Sequence, residues 1–159
     1  MPSPGAWRCV ARGIAAVVAA LLPVTAAEAN GPVALRAGET VALTVRWIVE
    51  DGYYLDEATP SSLSFVPPEG VAIDPATIET EGRVVGIAEQ QARLSVAAGA
   101  KAGRRAVRGD LVLFFCSSRE QWCRRLTRQV ALAIEVVAER AGPPGPVEIE
   151  VIVPLDDER

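Results

Sequence analysis

Two cysteines, Cys116 and Cys123, are the residues of this 159-residue chain whose type and spacing point most clearly to chemistry. A hydrophobic run at residues 111–115 leads into the first cysteine, and six residues separate it from the second. Two cysteines that face each other across a β-hairpin can form a disulfide, and an oxidising compartment favours that bond. Such a bond is either a structural staple, which stabilises the fold by about 2.5 kcal/mol, or a site of thiol–disulfide exchange.

Basic residues surround this pair. Eight lysines and arginines lie between residues 101 and 128, against two acidic residues. Arg119, Arg124 and Arg125 are close to the cysteines in sequence, and nearby positive charge stabilises a thiolate. Because Arg124 and Arg125 adjoin Cys123, we expect Cys123 to be the cysteine that is attacked first. A solvated basic face is the alternative interpretation of the same charges.

Aromatic residues are also concentrated around the cysteines, although they make up only 5% of the chain. Phe114 and Phe115 immediately precede Cys116, and Trp122 immediately precedes Cys123. These side chains either pack in the core and the hairpin or form a docking surface around the sulfurs.

The composition excludes several other kinds of site. The chain contains no histidine, which excludes a Ser/His/Asp triad, a Cys/His dyad and a histidine-bearing zinc site within it. Ser117 and Ser118 lack a base partner and are expected to be loop residues rather than nucleophiles. The 16 basic and 20 acidic residues give an acidic protein, for which we expect no nucleic-acid partner. No metal or organic cofactor is expected.

The N-terminus has the pattern of a secretory signal peptide. Arg8 and Arg12 supply the positive region, residues 14–24 the apolar core, and Ala-Glu-Ala at residues 27–29 a cleavage signal before Asn30. A single membrane-spanning helix is the alternative, but it needs about 20 apolar residues, roughly twice the length of this run. We therefore expect residues 1–29 to be removed and the product to be periplasmic or secreted, without stable membrane insertion.

The remainder has the periodicity of β-strands, because apolar and polar residues alternate in short segments between turn residues. Seven such segments lie at residues 33–36, 41–49, 62–66, 83–87, 92–96, 106–115 and 129–137. They predict an all-β protein, an immunoglobulin-like antiparallel β-sandwich over residues 30–140. Residues 141–159 are expected to form a Pro/Gly linker and an acidic tail, in which residues 147–153 are either an edge strand or loose chain.

A second motif lies far from the cysteines in sequence. Residues 47–55 read Trp-Ile-Val-Glu-Asp-Gly-Tyr-Tyr-Leu, and a β-rich interval then leads to the cysteine hairpin. Over residues 41–137 this pattern resembles the N-terminal periplasmic domain of the thiol:disulfide interchange protein DsbD. The resemblance implies an immunoglobulin-like domain in which Cys116 and Cys123 cycle between dithiol and disulfide. It also implies that Tyr53 and Tyr54 belong to the active-site wall, and we expect Trp122 to contribute to the same wall.

The resemblance also implies partners. Electrons would pass from a thioredoxin-like protein or a membrane electron donor to exported substrate proteins through mixed disulfides. The family covers its sulfurs with an aromatic cap loop, whereas the matching residues 79–86 contain no aromatic side chain, so any cap here is aliphatic or absent. The alternative function is a non-catalytic exported protein-binding module with a structural disulfide, which would use residues 147–153 for strand addition.

Overall fold

The computed structural model describes residues 31–154, which fold into two packed β-sheets and contain no helix. The expected signal peptide lies outside these residues, and no helix within them could cross a membrane. An all-β sandwich is therefore confirmed. Its strands are β1 (Val33–Arg36), β2 (Thr40–Val49), β3 (Tyr53–Leu55), β4 (Ser62–Val66), β5 (Val71–Asp74), β6 (Thr77–Glu79), β7 (Ile87–Val96), β8 (Gly103–Ser117), β9 (Trp122–Val137) and β10 (Val147–Val153).

Six of these strands form the larger sheet and four form the smaller one. The larger sheet has the order β1-β9-β8-β4-β6, and the short β3 pairs with the end of β8 beyond β4. The smaller sheet has the order β10-β2-β7-β5. The β1–β9 and β10–β2 pairs are parallel, and all other pairs are antiparallel. The two longest strands, β8 and β9, form a hairpin that carries both cysteines.

The core lies between the two sheets, where the alternating apolar residues meet. β2 shows the pattern clearly, because every second side chain from Val41 to Val49 is buried. Trp47 is fully buried within it, and its indole N–H donates to the side-chain oxygen of Gln90. From the larger sheet, Leu113 and Phe115 of β8 are buried in the same core. The period of two in the sequence thus decided which face of each strand is buried.

The predicted strand at residues 83–87 is wrong. Only Val84 pairs there, through a single bridge to Leu55, and β7 begins at Ile87. Gly82 and Gly86 flank this bridge with φ values of 67° and 73°, and these left-handed conformations turn the chain on both sides. The short strands β3, β5 and β6 were not predicted.

The C-terminal segment forms a strand of the sandwich rather than a loose tail. β10 pairs with β2 over its whole length, and its alternate residues from Val147 to Val153 are buried. The sandwich therefore extends beyond residue 140, where the sequence placed its end. The Pro/Gly segment allows the chain to cross from the larger to the smaller sheet, so this strand adds in parallel.

An ion pair anchors the start of that crossing. The Arg140 guanidinium donates to both carboxylate oxygens of Glu39 at 2.7 Å and to the Ala34 carbonyl at 2.8 Å. Both charged side chains are only 13% exposed. The hydrogen bonds from Arg140, together with one from the Arg36 backbone N–H, lower the pKa of Glu39 from 4.5 to about 2.

This lowered pKa predicts a pH dependence of stability. A carboxyl whose pKa is depressed by folding adds stability above its unfolded value of 4.5, and that contribution disappears as the pH falls towards 2. We expect Glu39→Gln to be less stable than the parent at neutral pH and to converge with it near pH 2. Urea denaturation at stepped pH measures this, and parallel stability curves for the two proteins would contradict it.

Gly109 is the glycine, among those described, at which an added Cβ would meet its neighbours most closely. It faces the core from β8, and a Cβ there would lie 2.8 Å from Val130 Cγ2 and 3.1 Å from Leu63 Cδ1. We expect Gly109→Ala to lower the free energy of unfolding by about 1–3 kcal/mol, because neighbours must shift. Gly99→Ala is the control, since a Cβ there meets nothing within 4 Å. Equal unfolding midpoints for the two variants would contradict the prediction.

Candidate functional site

The candidate site lies at the closed end of the β8–β9 hairpin. Cys116 and Cys123 are directly opposite each other in the ladder and form a disulfide, with their Cα atoms 4.0 Å apart. The connecting turn is closed by a hydrogen bond from the Gln121 N–H to the Ser117 carbonyl, and Gln121 adopts a φ of 54°. The Ser117 hydroxyl accepts the Glu120 N–H at 3.2 Å. The predicted hairpin and its disulfide are therefore both present.

The two sulfur-bearing residues differ in accessibility. Cys116 is only 1% exposed, whereas Cys123 is an exposed residue. Cys116 belongs to a strand with neighbours on both sides, because β3 pairs with one of its edges and β9 with the other. Within residues 31–154, β1 pairs only with residues 134–137 of β9, so the part of β9 around Cys123 is a sheet edge. The structure therefore favours Cys123 as the cysteine that an approaching thiolate contacts.

The register of the larger sheet places a row of side chains beside the disulfide. Tyr54 pairs with Cys116, which pairs with Cys123, so all three side chains lie on the outer surface of the sheet. The antiparallel bridge between Leu55 and Val84 brings Val85 next to Tyr54 on that surface. Val85 is 68% exposed, the largest exposed fraction among the large apolar side chains of residues 31–154. We call this outer surface, formed by Val85, Tyr54, Cys116 and Cys123, the disulfide face.

The predicted active-site wall is divided between two surfaces. Tyr54 lies on the disulfide face, but Tyr53 and Trp122 lie on the opposite, core-facing side of the sheet together with Phe115. These three rings form a cluster with centroid separations of 5.8 to 6.2 Å. Tyr53 and Trp122 therefore lie across the sheet from the disulfide face, packed against the core. The alternation of side chains along a strand contains this signal, since Trp122 immediately precedes Cys123.

The arginines of the hairpin are divided in the same way. Arg125 pairs with Phe114 and lies two residues after Cys123, on the disulfide face. Arg124 points to the other side, where its guanidinium carbon is 4.6 Å from the centre of the Trp122 ring. Arg119 packs on Gly52 at the turn and leaves little room there for a Cβ. Of the three predicted electrostatic residues, Arg125 alone shares the face of the sulfurs.

One cation of the site was not predicted. The Arg83 guanidinium carbon lies 3.7 Å from the centre of the Tyr54 ring, a stacked cation–π arrangement. Arg83 belongs to residues 79–86, where the sequence predicted an aliphatic cap or none. It lies over Tyr54, and the aliphatic Val85 of the same segment lies next to Tyr54. No local pattern identifies such a residue, because the contact depends on the Leu55–Val84 bridge.

A buried serine holds β3 and its tyrosines against β8. Along β8 the pairing partner changes from β4 to β3 at Phe114. The Phe114 N–H donates to the Ser61 hydroxyl at 2.9 Å, and the Phe114 carbonyl accepts the Asp56 N–H at 3.3 Å. Ser61 is completely buried, and its own N–H donates to the Thr80 hydroxyl at 3.0 Å. Ser61 therefore provides a hydrogen-bond partner for the β8 backbone N–H at the gap between β4 and β3, the two strands that pair with the same edge of β8.

The fold and the site together define an all-β sandwich with an edge-strand disulfide in which one cysteine is exposed and the other buried. The described residues contain no cluster of metal-ligating side chains. No protein-family model matches the chain, and no curated protein is significantly similar to it.

Proposed function

We propose that this protein is an exported thiol–disulfide exchange domain whose Cys116–Cys123 pair passes electrons between a thioredoxin-like partner and exported proteins. The observation that carries the proposal is the unequal accessibility of the two cysteines, with Cys123 at an open sheet edge. Exchange requires one sulfur that a partner can reach and a second that resolves the mixed disulfide. An immunoglobulin-like topology, a periplasmic location and kinship with the DsbD N-terminal domain are parts of the same proposal, supported by residues 47–55 and the leader-like residues 1–29.

The reaction proceeds in two displacement steps. A partner thiolate attacks the sulfur of Cys123, the Cys116–Cys123 bond breaks, and Cys116 leaves as a thiolate that takes up a proton. The second thiol of the partner then attacks the partner's first sulfur, which breaks the mixed disulfide and releases Cys123 as a thiol. The pair gains two electrons and two protons, and the partner becomes a disulfide. The same steps in reverse, with Cys123 as the nucleophile and Cys116 as the resolving thiol, reduce an exported substrate.

The fold is suited to both redox states. The β8–β9 ladder continues without interruption from the Ser117–Trp122 pair to the Gly103–Val136 pair, so the hairpin does not depend on the disulfide. The bond closes a short loop, for which chain entropy predicts a stabilisation of about 2.5 kcal/mol. That amount is below the total stability of a domain of this size, roughly 5–15 kcal/mol. The reduced domain is therefore expected to remain folded.

The reduction potential of the pair tests this proposal. The purified protein is equilibrated with graded dithiothreitol or glutathione buffers, and free thiols are counted by alkylation, with the Cys116→Ser/Cys123→Ser variant as the thiol-free baseline. A potential of roughly −120 to −270 mV, the range of exchange proteins, supports the proposal. A potential below about −300 mV identifies a structural staple and refutes it.

A non-catalytic protein-binding module is the second candidate, and the position of β10 favours it. Among the described residues β10 pairs only with β2, so its other edge is open to an added strand. This candidate predicts a disulfide that thiol partners do not reduce and that acts only on stability.

A further inference from the structure

We propose that the disulfide face selects partners that carry carboxylates beside their reactive cysteine, bound by Arg83 and Arg125. The inference rests on the proposed exchange function and specifies the chemistry of the partner. It also assigns a role to Arg83, which lies far from both cysteines in sequence.

The two guanidinium groups belong to different parts of the sheet around the disulfide. Arg125 lies on β9, directly after Cys123 on the same face, and Phe114 is its partner across the ladder. Arg83 reaches the face from the other side, stacked on Tyr54, which is in turn paired with Cys116. A partner that approaches Cys123 therefore meets positive charge both along β9 and across β3.

Both guanidinium groups can accept an anionic ligand. Arg83 and Arg125 are exposed, and neither forms an ion pair with a carboxylate within residues 31–154. Contact with the Tyr54 ring positions the Arg83 group, and a guanidinium can bind a carboxylate through two hydrogen bonds.

The acidic residues close to this surface are engaged in their own loops. The Asp56 carboxylate accepts the N–H groups of Ala58 and Thr59 at 3.1 Å each. The Glu120 carboxylate accepts the indole N–H of Trp122, whose ring lies on the other side of the sheet. Neither acid pairs with Arg83 or Arg125, so both guanidinium groups can bind a carboxylate of a partner.

The apolar part of the face fits the same partner. Val85 is 68% exposed and adjoins the half-buried Tyr54, which provides a small apolar contact beside Arg83. A reactive cysteine flanked by acidic residues can place its sulfur at Cys123 and its carboxylates on Arg83 and Arg125. A partner with lysines in those positions would be repelled.

The test compares three capped tripeptide thiols, Glu-Cys-Glu, Gln-Cys-Gln and Lys-Cys-Lys, as reductants of the oxidised full-length protein. Each rate constant is divided by the fraction of the peptide that is present as thiolate. The ratio of the rate constant of the acidic peptide to that of the basic peptide is then compared between variants, so that the intrinsic reactivity of each peptide cancels. Arg83→Gln/Arg125→Gln removes the proposed site. Arg104→Gln/Arg108→Gln removes two exposed charges from the far end of the same outer surface and is the matched control.

We expect the acidic peptide to react faster than the basic one with the parent and with the control. The ratio should fall about tenfold in the Arg83→Gln/Arg125→Gln variant at low ionic strength, and 0.5 M salt should remove most of the difference. If all peptides reduce the bond but the two double variants give the same ratio, the charge selection is refuted while the exchange function stands. If no peptide reduces the bond, both proposals are refuted.

Discussion

Replacing Cys123 with serine is expected to abolish thiol exchange, whereas replacing Cys116 leaves a reactive thiol that is trapped as a mixed disulfide. The reason is the difference in burial, since Cys116 is 1% exposed and Cys123 lies at an open edge. We expect the free thiol of Cys116→Ser to react with a soluble aromatic disulfide about a hundredfold faster than that of Cys123→Ser. In the latter variant Cys116 can react only when the hairpin opens locally.

Two further observations complete this test. Both single variants should show the same circular dichroism spectrum and nearly the same urea midpoint, because each removes the same disulfide from a continuous ladder. A mixed disulfide with a thioredoxin whose resolving cysteine is replaced by serine should accumulate for Cys116→Ser after oxidation by the aromatic disulfide, and not for Cys123→Ser. Equal thiol reactivity in the two variants would remove the observation on which the proposed function rests.

Truncation of Phe115 is expected to cause the largest loss of stability of any single change near the site. Its ring is completely buried and lies within 6.2 Å of Tyr53 and 5.8 Å of Trp122, measured between ring centroids. Phe115→Ala should lower the free energy of unfolding by about 3–5 kcal/mol, through lost transfer energy and the cavity left behind. Urea denaturation of the oxidised protein measures the change.

Phe114→Ala is the matched control for this prediction. Phe114 is the same residue type one position earlier, but it is half-buried on the outer surface of the sheet. Its truncation should lower the free energy of unfolding by less than half as much, because less apolar surface becomes exposed. Similar losses for the two variants would show that the two faces of β8 do not differ in burial as described.

The sequence predicted the parts of the site that depend on neighbours along the chain. The apolar run before Cys116 and the polar turn after it are enough to predict a hairpin, and a hairpin brings its two cysteines into register. The alternating segments at residues 41–49 and 147–153 likewise predicted buried and exposed positions that β2 and β10 adopt. In β10, however, alternation did not distinguish an edge strand from a loose tail.

The predictions failed where the environment of a residue is formed by residues that are distant from it in the sequence. Proximity in sequence suggested that Trp122 and Arg124 surround the sulfurs, but strand alternation turns both away from Cys123. Residues 83–87 had the composition of a strand, yet two glycines with positive φ limit the pairing to Val84. Arg83, which lies over Tyr54, had no signal in the sequence.

The sequence alone therefore determined the strand periodicity, the sandwich class and the pairing of the cysteines, because each depends on residues within a few positions of one another. The tertiary structure alone decided which sulfur is accessible, since this depends on β3 joining one side of Cys116 and on β1 stopping short of Cys123. It also decided which charges face the disulfide. Sheet order and register are set by burial of the whole core, so no local pattern contains them.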